Sequence, residues 1–323
     1  MRVSTGAPVP ANATAVVMVE DTNLITADGS QESKVEITCA PSDGDFIREI
    51  GSDVLKGEKI FSKGHVINSN VGDVGLLASL GIMEIKVYSK PTVAILSTGN
   101  ELTSTDVDPL FGQIRDSNTI SLQTILENHG YNVLNLGISK DCTQELHQSI
   151  KNGLSKCDVL ITTGCVSMGE MDLLKSVLER NLNATIHFGR VNIKPGKPIT
   201  FSTLDFDSSK KLIFSLPGNP CSAITTLHLF VIPSLRKYSG FTDPNNLAIK
   251  VELGHDLILD ERPEFVRVFL QHGGNYLVAY STGNQRSSRL SSFVGCSGLL
   301  KLPCRSNECK TLCKGDLVDC FLV

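Results

Sequence analysis

Three loops of this 323-residue chain end in carboxylates, and each follows an apolar run of β type. They are Ser97-Thr98-Gly99-Asn100-Glu101, Lys140-Asp141, and the longer Thr163-Gly164-Cys165-Val166-Ser167-Met168-Gly169-Glu170-Met171-Asp172. Glu101, Asp141 and Asp172 are hard oxygen donors. Gathered beside a phosphate they suit Mg²⁺, which shares its ligands with substrate oxygens and offsets the repulsion between the acids. A fourth run ends in Leu216-Pro217-Gly218-Asn219-Pro220. This loop and the one from Gly164 to Gly169 have the makeup of anion cradles, because glycines let backbone N–H groups approach an oxyanion and a following helix presents its positive end. Asn219 reads as an N-cap, Pro220 as the first helical residue, and Ser222 as a further hydroxyl donor. The matching positive charge lies in Gly189-Arg190-Val191-Asn192-Ile193-Lys194-Pro195-Gly196-Lys197-Pro198. Its prolines and glycine stiffen the loop, so Arg190, Lys194 and Lys197 are held in preset positions that suit a small dianion. One acid after one strand is ordinarily a helix cap, and surface lysines are ordinarily just solvated. Convergence is what would turn these residues into a site.

Convergence depends on the elements that carry the loops. After Lys90-Pro91, strand-like runs at Val93 to Ser97, Val133 to Ile138, Val159 to Thr162 and Leu212 to Leu216 alternate with helical patterns. The helices fall near Ser117 to Asn128, Thr143 to Lys156 and Asp172 to Glu179, with a long one from Asn219 to Tyr238. Such alternation predicts an open, doubly wound, mostly parallel sheet with helices on both faces, and ligands in such sheets bind beyond the carboxyl ends of the strands. All four loops sit at that edge. Before residue 90, short β-rich runs such as Ala15 to Val19 and Val35 to Thr38 are broken by Gly, Pro, Asn and Asp; after about 243 the helical period disappears and β-type runs return. The expected fold class is therefore multidomain α/β: an N-terminal β-rich region over 1–89, the central α/β domain over 90–243, and a small C-terminal β domain over 244–323.

Composition narrows the function. A formal charge of −4 gives no global basic field for nucleic acid or anionic membrane, so any anion site must be local. No apolar stretch is long enough to span a bilayer and no signal segment follows Met1, which places the chain in the cytosol. The ten cysteines then read as reduced thiols, and the late group at Cys296, Cys304, Cys309, Cys313 and Cys320 has no zinc-finger spacing. Nucleophile-elbow, P-loop and HExxH motifs are absent, and His187 and His228 read as core or surface residues rather than catalysts.

Read in order, several segments resemble the molybdopterin molybdenumtransferase family, which comprises bacterial MoeA and the plant and animal E domains, gephyrin's among them. The likeness is carried by Ser4 to Pro10 (STGAPVP), Val16 to Asp21 (VVMVED), Gly51-Ser52-Asp53, Ser97 to Leu102 (STGNEL), Ile114 to Asn118 (IRDSN), Val166 to Glu170 (VSMGE), Ile186 to Arg190 (IHFGR), Lys194 to Pro198 (KPGKP), Leu216 to Pro220 (LPGNP) and Gln285 to Leu290 (QRSSRL). The resemblance implies a Mg²⁺-dependent transferase that takes adenylylated molybdopterin and molybdate, inserts molybdenum into the dithiolene and releases AMP. It implies functional acids at Asp53, Glu101, Asp141 and Asp172 with Thr5 nearby. It further implies molybdate contacts from Lys194, Lys197, Ser222, Arg267 and Ser288, joined by Ser167, with Gly164, Gly169, Arg190 and Pro198 completing the cofactor-binding set. A homodimer whose active site draws on both subunits, and an adenylyltransferase as a fused domain or separate protein, follow from the same likeness.

Three departures bear on activity. The family carries a further N-terminal stretch with an Asp-Gly-Tyr type motif, and the sequence begins after it. Cys165 stands where the family has a glycine, so a β-carbon crowds a position of close backbone approach. Met171 and Leu173 replace basic and aromatic neighbours of Asp172. The alternative is a gephyrin-like interaction scaffold or a catalytically degenerate paralogue. Against the scaffold, Lys90, Cys304 and Cys309 stand where gephyrin offers the aromatic and proline anchors of its receptor contact.

Overall fold

The computed structural model describes residues 1–28, 31–68, 71–166 and 173–323, and only the backbone of 26–28 and 31–33. Contacts divide the chain into two compact units, Met1–Lys63 and Gly64–Val323. In the first, β1 (Thr22–Asp28) and β2 (Gln31–Ile37) pair as an antiparallel hairpin, preceded by a 3₁₀ turn over Val19–Asp21. The strand expected over Ala15 to Val19 does not form. Val16 donates a backbone bond to Asp45 (2.9 Å) and Gly44 donates one to Thr14 (2.7 Å), but this pairing does not extend into a strand. None of the described residues from 1 to 63 is buried.

The second unit opens with α1 (Asp73–Ser79) and continues into a six-stranded sheet. Its strands are β3 (Thr92–Thr98), β6 (Asn132–Ser139), β7 (Val159–Thr163), β8 (Thr185–Phe188), β9 (Thr200–Phe206) and β10 (Ser209–Leu216), in the order β6-β3-β7-β10-β9-β8. Two minor strands, β4 (Leu102–Thr103) and β5 (Ile114–Arg115), pair in the loop after β3. The first four strands of the order are parallel, as the alternating pattern predicts, while β9 and β8 add an antiparallel edge. The sequence reading missed that edge. Its β9–β10 hairpin turns on Asp207 and Ser208, both with left-handed φ (48° and 61°), a primed-turn geometry that non-glycine residues rarely advertise.

Helices cover both faces because alternate strand residues point to opposite sides. Val93, Ile95, Val159, Ile161, Phe214 and Leu216 face α2 (Ser117–Asn128), α5 (Pro220–Thr226) and α6 (Ile232–Tyr238); Ala94, Leu96, Leu160 and Ile213 face α3 (Thr143–Leu154) and α4 (Leu173–Ser176). Asp116 caps α2 by accepting from the Thr119 amide at 3.1 Å. Between α5 and α6 the helix widens to a π-turn over Leu227–Val231, so the long helix expected from Asn219 is one continuous but irregular stretch. Pro233, which has no N–H for the regular ladder, lies just beyond. A second π-turn, Val177–Asn181, extends α4.

The C-terminal strands close into a barrel, with β11 (Ala248–Leu253), β13 (Glu264–His272), β14 (Leu277–Ser281), β15 (Gly298–Leu302) and β17 (Leu317–Leu322) in the order β11-β14-β13-β15-β17. Beside it, β12 (Leu257–Ile258) pairs with β16 (Thr311–Leu312). Alternating inward residues Val251, Leu253, Val266, Val268, Leu300, Leu302 and Val318 fill the interior. Backbone bonds join this barrel to the cationic loop: Lys194 N–H donates to Pro263 O at 2.9 Å, and Phe265 N–H donates to Lys194 O at 2.7 Å.

Candidate active site

The carboxyl ends of β3, β6, β7 and β10 meet at one edge. Ser97 Oγ bonds to Thr163 Oγ1 (3.0 Å), Thr98 Oγ1 donates to Thr163 O (2.9 Å), and the Gly164 amide donates to Leu216 O (3.2 Å). Gly164 has φ +92°, and a β-carbon there would collide with the carbonyl of Thr98. That close approach accounts for the glycine. Asn118 Nδ2 donates to Gly218 O at 2.8 Å, tying the loop after β10 to α2.

The loops that carry two of the three expected metal acids, Glu101 and Asp141, are joined here. The Asp141 amide donates to Asn100 Oδ1 at 3.2 Å, joining the loops after β6 and β3, and the Cys165 thiol donates to Asp141 Oδ1 at 2.6 Å. Burial, the bond to Asp141, and the charges of Asp141 and Glu101 push the Cys165 thiol up to about 12, so it stays protonated and acts as a donor. Cys165 itself is held at φ +46°, a conformation that glycine adopts freely and a β-carbon disfavours. Asp172, Ser167 and Gly169 lie outside the described residues. Among the described residues, no group of three His, Cys, Asp or Glu converges tightly enough to hold a metal ion.

Beside this edge a cavity of about 490 Å³ is lined by Lys194, Pro195, Gly196, Lys197 and Pro198, by Pro217, Asn219 and Ser222, and by Arg262, Gln285, Arg286, Ser287 and Ser288. Among the described residues, four cations and several hydroxyl and amide groups line it, and no carboxylate does. The turn of the cationic loop is possible because Gly196 has φ +113°, and a β-carbon there would press to 2.5 Å on the Thr226 methyl. The loop after β14 is fastened to the start of α5, where Cys221 N–H donates to Ser287 O at 3.0 Å. Asn219 occupies the N-cap position but makes no side-chain cap, so its amide is left to the cavity, while Pro220 begins the helix as expected.

Arg267 and Arg190 are not among the residues that line this cavity. Arg267 is fully buried behind the wall, where its Nε donates to Ser292 Oγ (2.7 Å), its backbone N–H to Gln285 Oε1 (3.0 Å) and its Nη2 to Arg286 O (3.4 Å), with the guanidinium 5.6 Å from the Phe293 ring. It thereby supports two lining residues, and among the described residues its Nη1 is buried without a partner. Arg190 is exposed and outside this cavity. Thr5 and Asp53 belong to the first unit: Thr5 sits exposed in the turn closed by Ala7 N–H to Ser4 O, and Asp53 pairs with Arg48 at 2.8 Å with both side chains mostly exposed.

Sequence reasoning missed Asp260, Arg262 and Glu264. Lys194 Nζ lies 3.0 Å from Asp260 Oδ2 and 3.1 Å from Glu264 Oε1, and Arg262 Nε lies 3.2 Å from Asp260 Oδ1. Burial works against the Lys194 charge, yet its bonds to both acids raise its pKa above the ordinary value. Burial likewise works against the Asp260 carboxylate, but Lys194 and Arg262 bring it down to about 2. The charged run Asp260-Glu261-Arg262-Pro263-Glu264 was the available signal; its partner lies more than sixty residues away.

Three family models match the chain: a MoeA N-terminal region (domain I and II) over residues 1–81, a probable molybdopterin binding domain over 94–237, and a MoeA C-terminal region (domain IV) over 250–323. Among relatives, gephyrin of Dictyostelium discoideum is 39% identical over 100% of this chain and 48% of its own length. The molybdopterin molybdenumtransferase of Bacillus subtilis is 32% identical over 94% of this chain and 69% of its own. The molybdopterin biosynthesis MoeA protein of Pyrococcus horikosii superposes with a TM-score of 0.76 at 28% identity, covering 99% of this chain and 74% of that one. The chain thus spans about half the length of the gephyrin relative.

Proposed function

We propose that this chain, which belongs to the molybdopterin molybdenumtransferase family, inserts molybdenum from molybdate into adenylylated molybdopterin with release of AMP. The observation that carries this reading is the cavity on the carboxyl edge, free of acids among the described residues, where Lys194, Lys197, Ser222 and Ser288 face one space. Tetrahedral dianions are held by such fixed cations and hydroxyls.

The division of labour follows from the chain's own groups. Lys197 and Arg286 attract the oxyanion, and the hydroxyls of Ser222 and Ser288 orient it. Gly164 lets the β7 loop pack against the Thr98 carbonyl and so holds the loops after β3 and β7 together at this edge. Asp141 and Glu101 are oxygen donors that fit a hard divalent cation, and they would hold Mg²⁺ with Asp172 as the third acid. When bound, Mg²⁺ supplies charge neutralisation at the phosphoanhydride that is cleaved. Asp141 accepts from Cys165 and is thereby oriented toward the shared edge.

A homodimer belongs to the same proposal, supported by a first unit that buries none of its described residues. A molybdopterin adenylyltransferase, fused or separate, would supply the adenylylated substrate. No helix among the described residues is long and apolar enough to cross a membrane.

The test supplies adenylylated molybdopterin, molybdate and Mg²⁺ and measures AMP. Wild type should release it, and Asp141→Asn should reduce the rate by 100-fold or more, on the order of what loss of a charge-stabilising group costs a reaction. An unchanged rate in a folded Asp141→Asn protein refutes the assignment.

A further inference from the structure

The cations of the cavity are not all free to meet a ligand. Lys194 lines the cavity, yet its ammonium is gripped from behind by Asp260 (3.0 Å) and Glu264 (3.1 Å). Arg262 also lines it, and its Nε and backbone N–H are both taken by Asp260 Oδ1 at 3.2 and 3.0 Å. Glu264 is itself buried, with 7% of its surface exposed, and Lys194 is fixed on both sides by backbone bonds to Pro263 and Phe265. The acids therefore cannot drift away from the lysine.

We propose that Asp260 and Glu264 form an acidic clamp that weakens the cavity's hold on an oxyanion by competing for Lys194 and Arg262. The inference rests on reading this cavity as the oxyanion site. Both acids are positioning residues: they act through the lysine and arginine and touch no ligand themselves. Four unopposed cations would bind any abundant dianion tightly and release it slowly. Binding that is equally strong before and during reaction does not raise turnover, so a substrate oxyanion is better held by a partly neutralised set. A negative charge one side chain behind the ligand opposes a dianion across a short, partly buried distance. Its removal is worth roughly tenfold in affinity.

The test is calorimetric titration of sodium molybdate into the full chain at fixed ionic strength, with thermal melts to establish folding. Asp260→Asn, and independently Glu264→Gln, should bind molybdate roughly tenfold more tightly than wild type. Asp260→Glu should return to within about twofold of wild type, because it restores the charge. A purely structural role predicts the opposite sign, weaker binding as Lys194 loses its support. Should either neutral variant fold poorly, the other carries the same expectation. The clamp is overturned if wild type binds, Lys197→Ala loses binding, and the folded neutral variants bind no more tightly. If wild type does not bind, or Lys197→Ala binds as well as wild type, the oxyanion reading of the cavity fails and the clamp falls with it.

Discussion

Cys165 concentrates what is particular to this chain. The sequence marks it as a β-carbon at a glycine position, and the structure adds a left-handed backbone with φ +46° and a thiol bonded to Asp141. A left-handed non-glycine residue stores on the order of 1 kcal/mol. Cys165→Gly should therefore raise the unfolding free energy by about 1 kcal/mol, less the backbone entropy that glycine adds. Urea unfolding measures this. A loss of stability would show that the thiol bond to Asp141 outweighs the strain. At this scale the sequence was informative about charge and poor about partners. Lys194 and Lys197 were recognisable because Pro-Gly-Lys-Pro fixes its own geometry. The Lys194 pairs with Asp260 and Glu264 were invisible because they depend on how the barrel meets the α/β domain. The oxyanion contact of Arg267 followed from resemblance alone, and only the structure shows that this buried residue also supports Gln285 and Arg286.

Among the elements, the parallel strands and their helices were legible because each carries its own periodicity. α3, for instance, buries Leu146, Ile150 and Leu154 at helical spacing. The antiparallel edge was not, since β8 is short and the β9–β10 turn uses Asp207 and Ser208 in place of a glycine. The π-turn between α5 and α6 also escaped notice, and it carries His228. This side chain is buried, and burial first, then the charges of His129 and Arg236, lower its pKa to about 4. Its unfolded value is near 6.5, so between these limits the unfolded chain binds more protons than the folded one. Stability is complete above pH 6.5 and falls as the pH drops toward 4, by about 3 kcal/mol from this group. Comparing urea midpoints at pH 7 and pH 4.5 should show that loss in wild type and much less of it in His228→Gln. Equal pH dependence in both would assign the effect to other groups.

For the whole molecule, the two units differ sharply in what they bury. Residues 64–323 contain every buried hydrophobic residue among those described, whereas the first unit leaves Leu24, Ile25, Val35, Ile37, Phe46 and Ile50 more than 45% exposed. A segment without a core of its own needs apolar surface from elsewhere, and the proposed homodimer supplies it. Light scattering on the purified chain should give twice the 34.9 kDa chain mass. A folded monomer at every concentration would contradict the dimer.

In the proposed function, one cationic cavity at the carboxyl edge of the sheet receives the oxyanion. Anomalous diffraction from crystals soaked in tungstate, a heavy tetrahedral analogue of molybdate, locates that ion directly. A peak is expected among Lys194, Lys197, Ser222 and Ser288. A peak only in the neighbouring space beside Glu261 and Arg305, or no ordered ion at all, would contradict it.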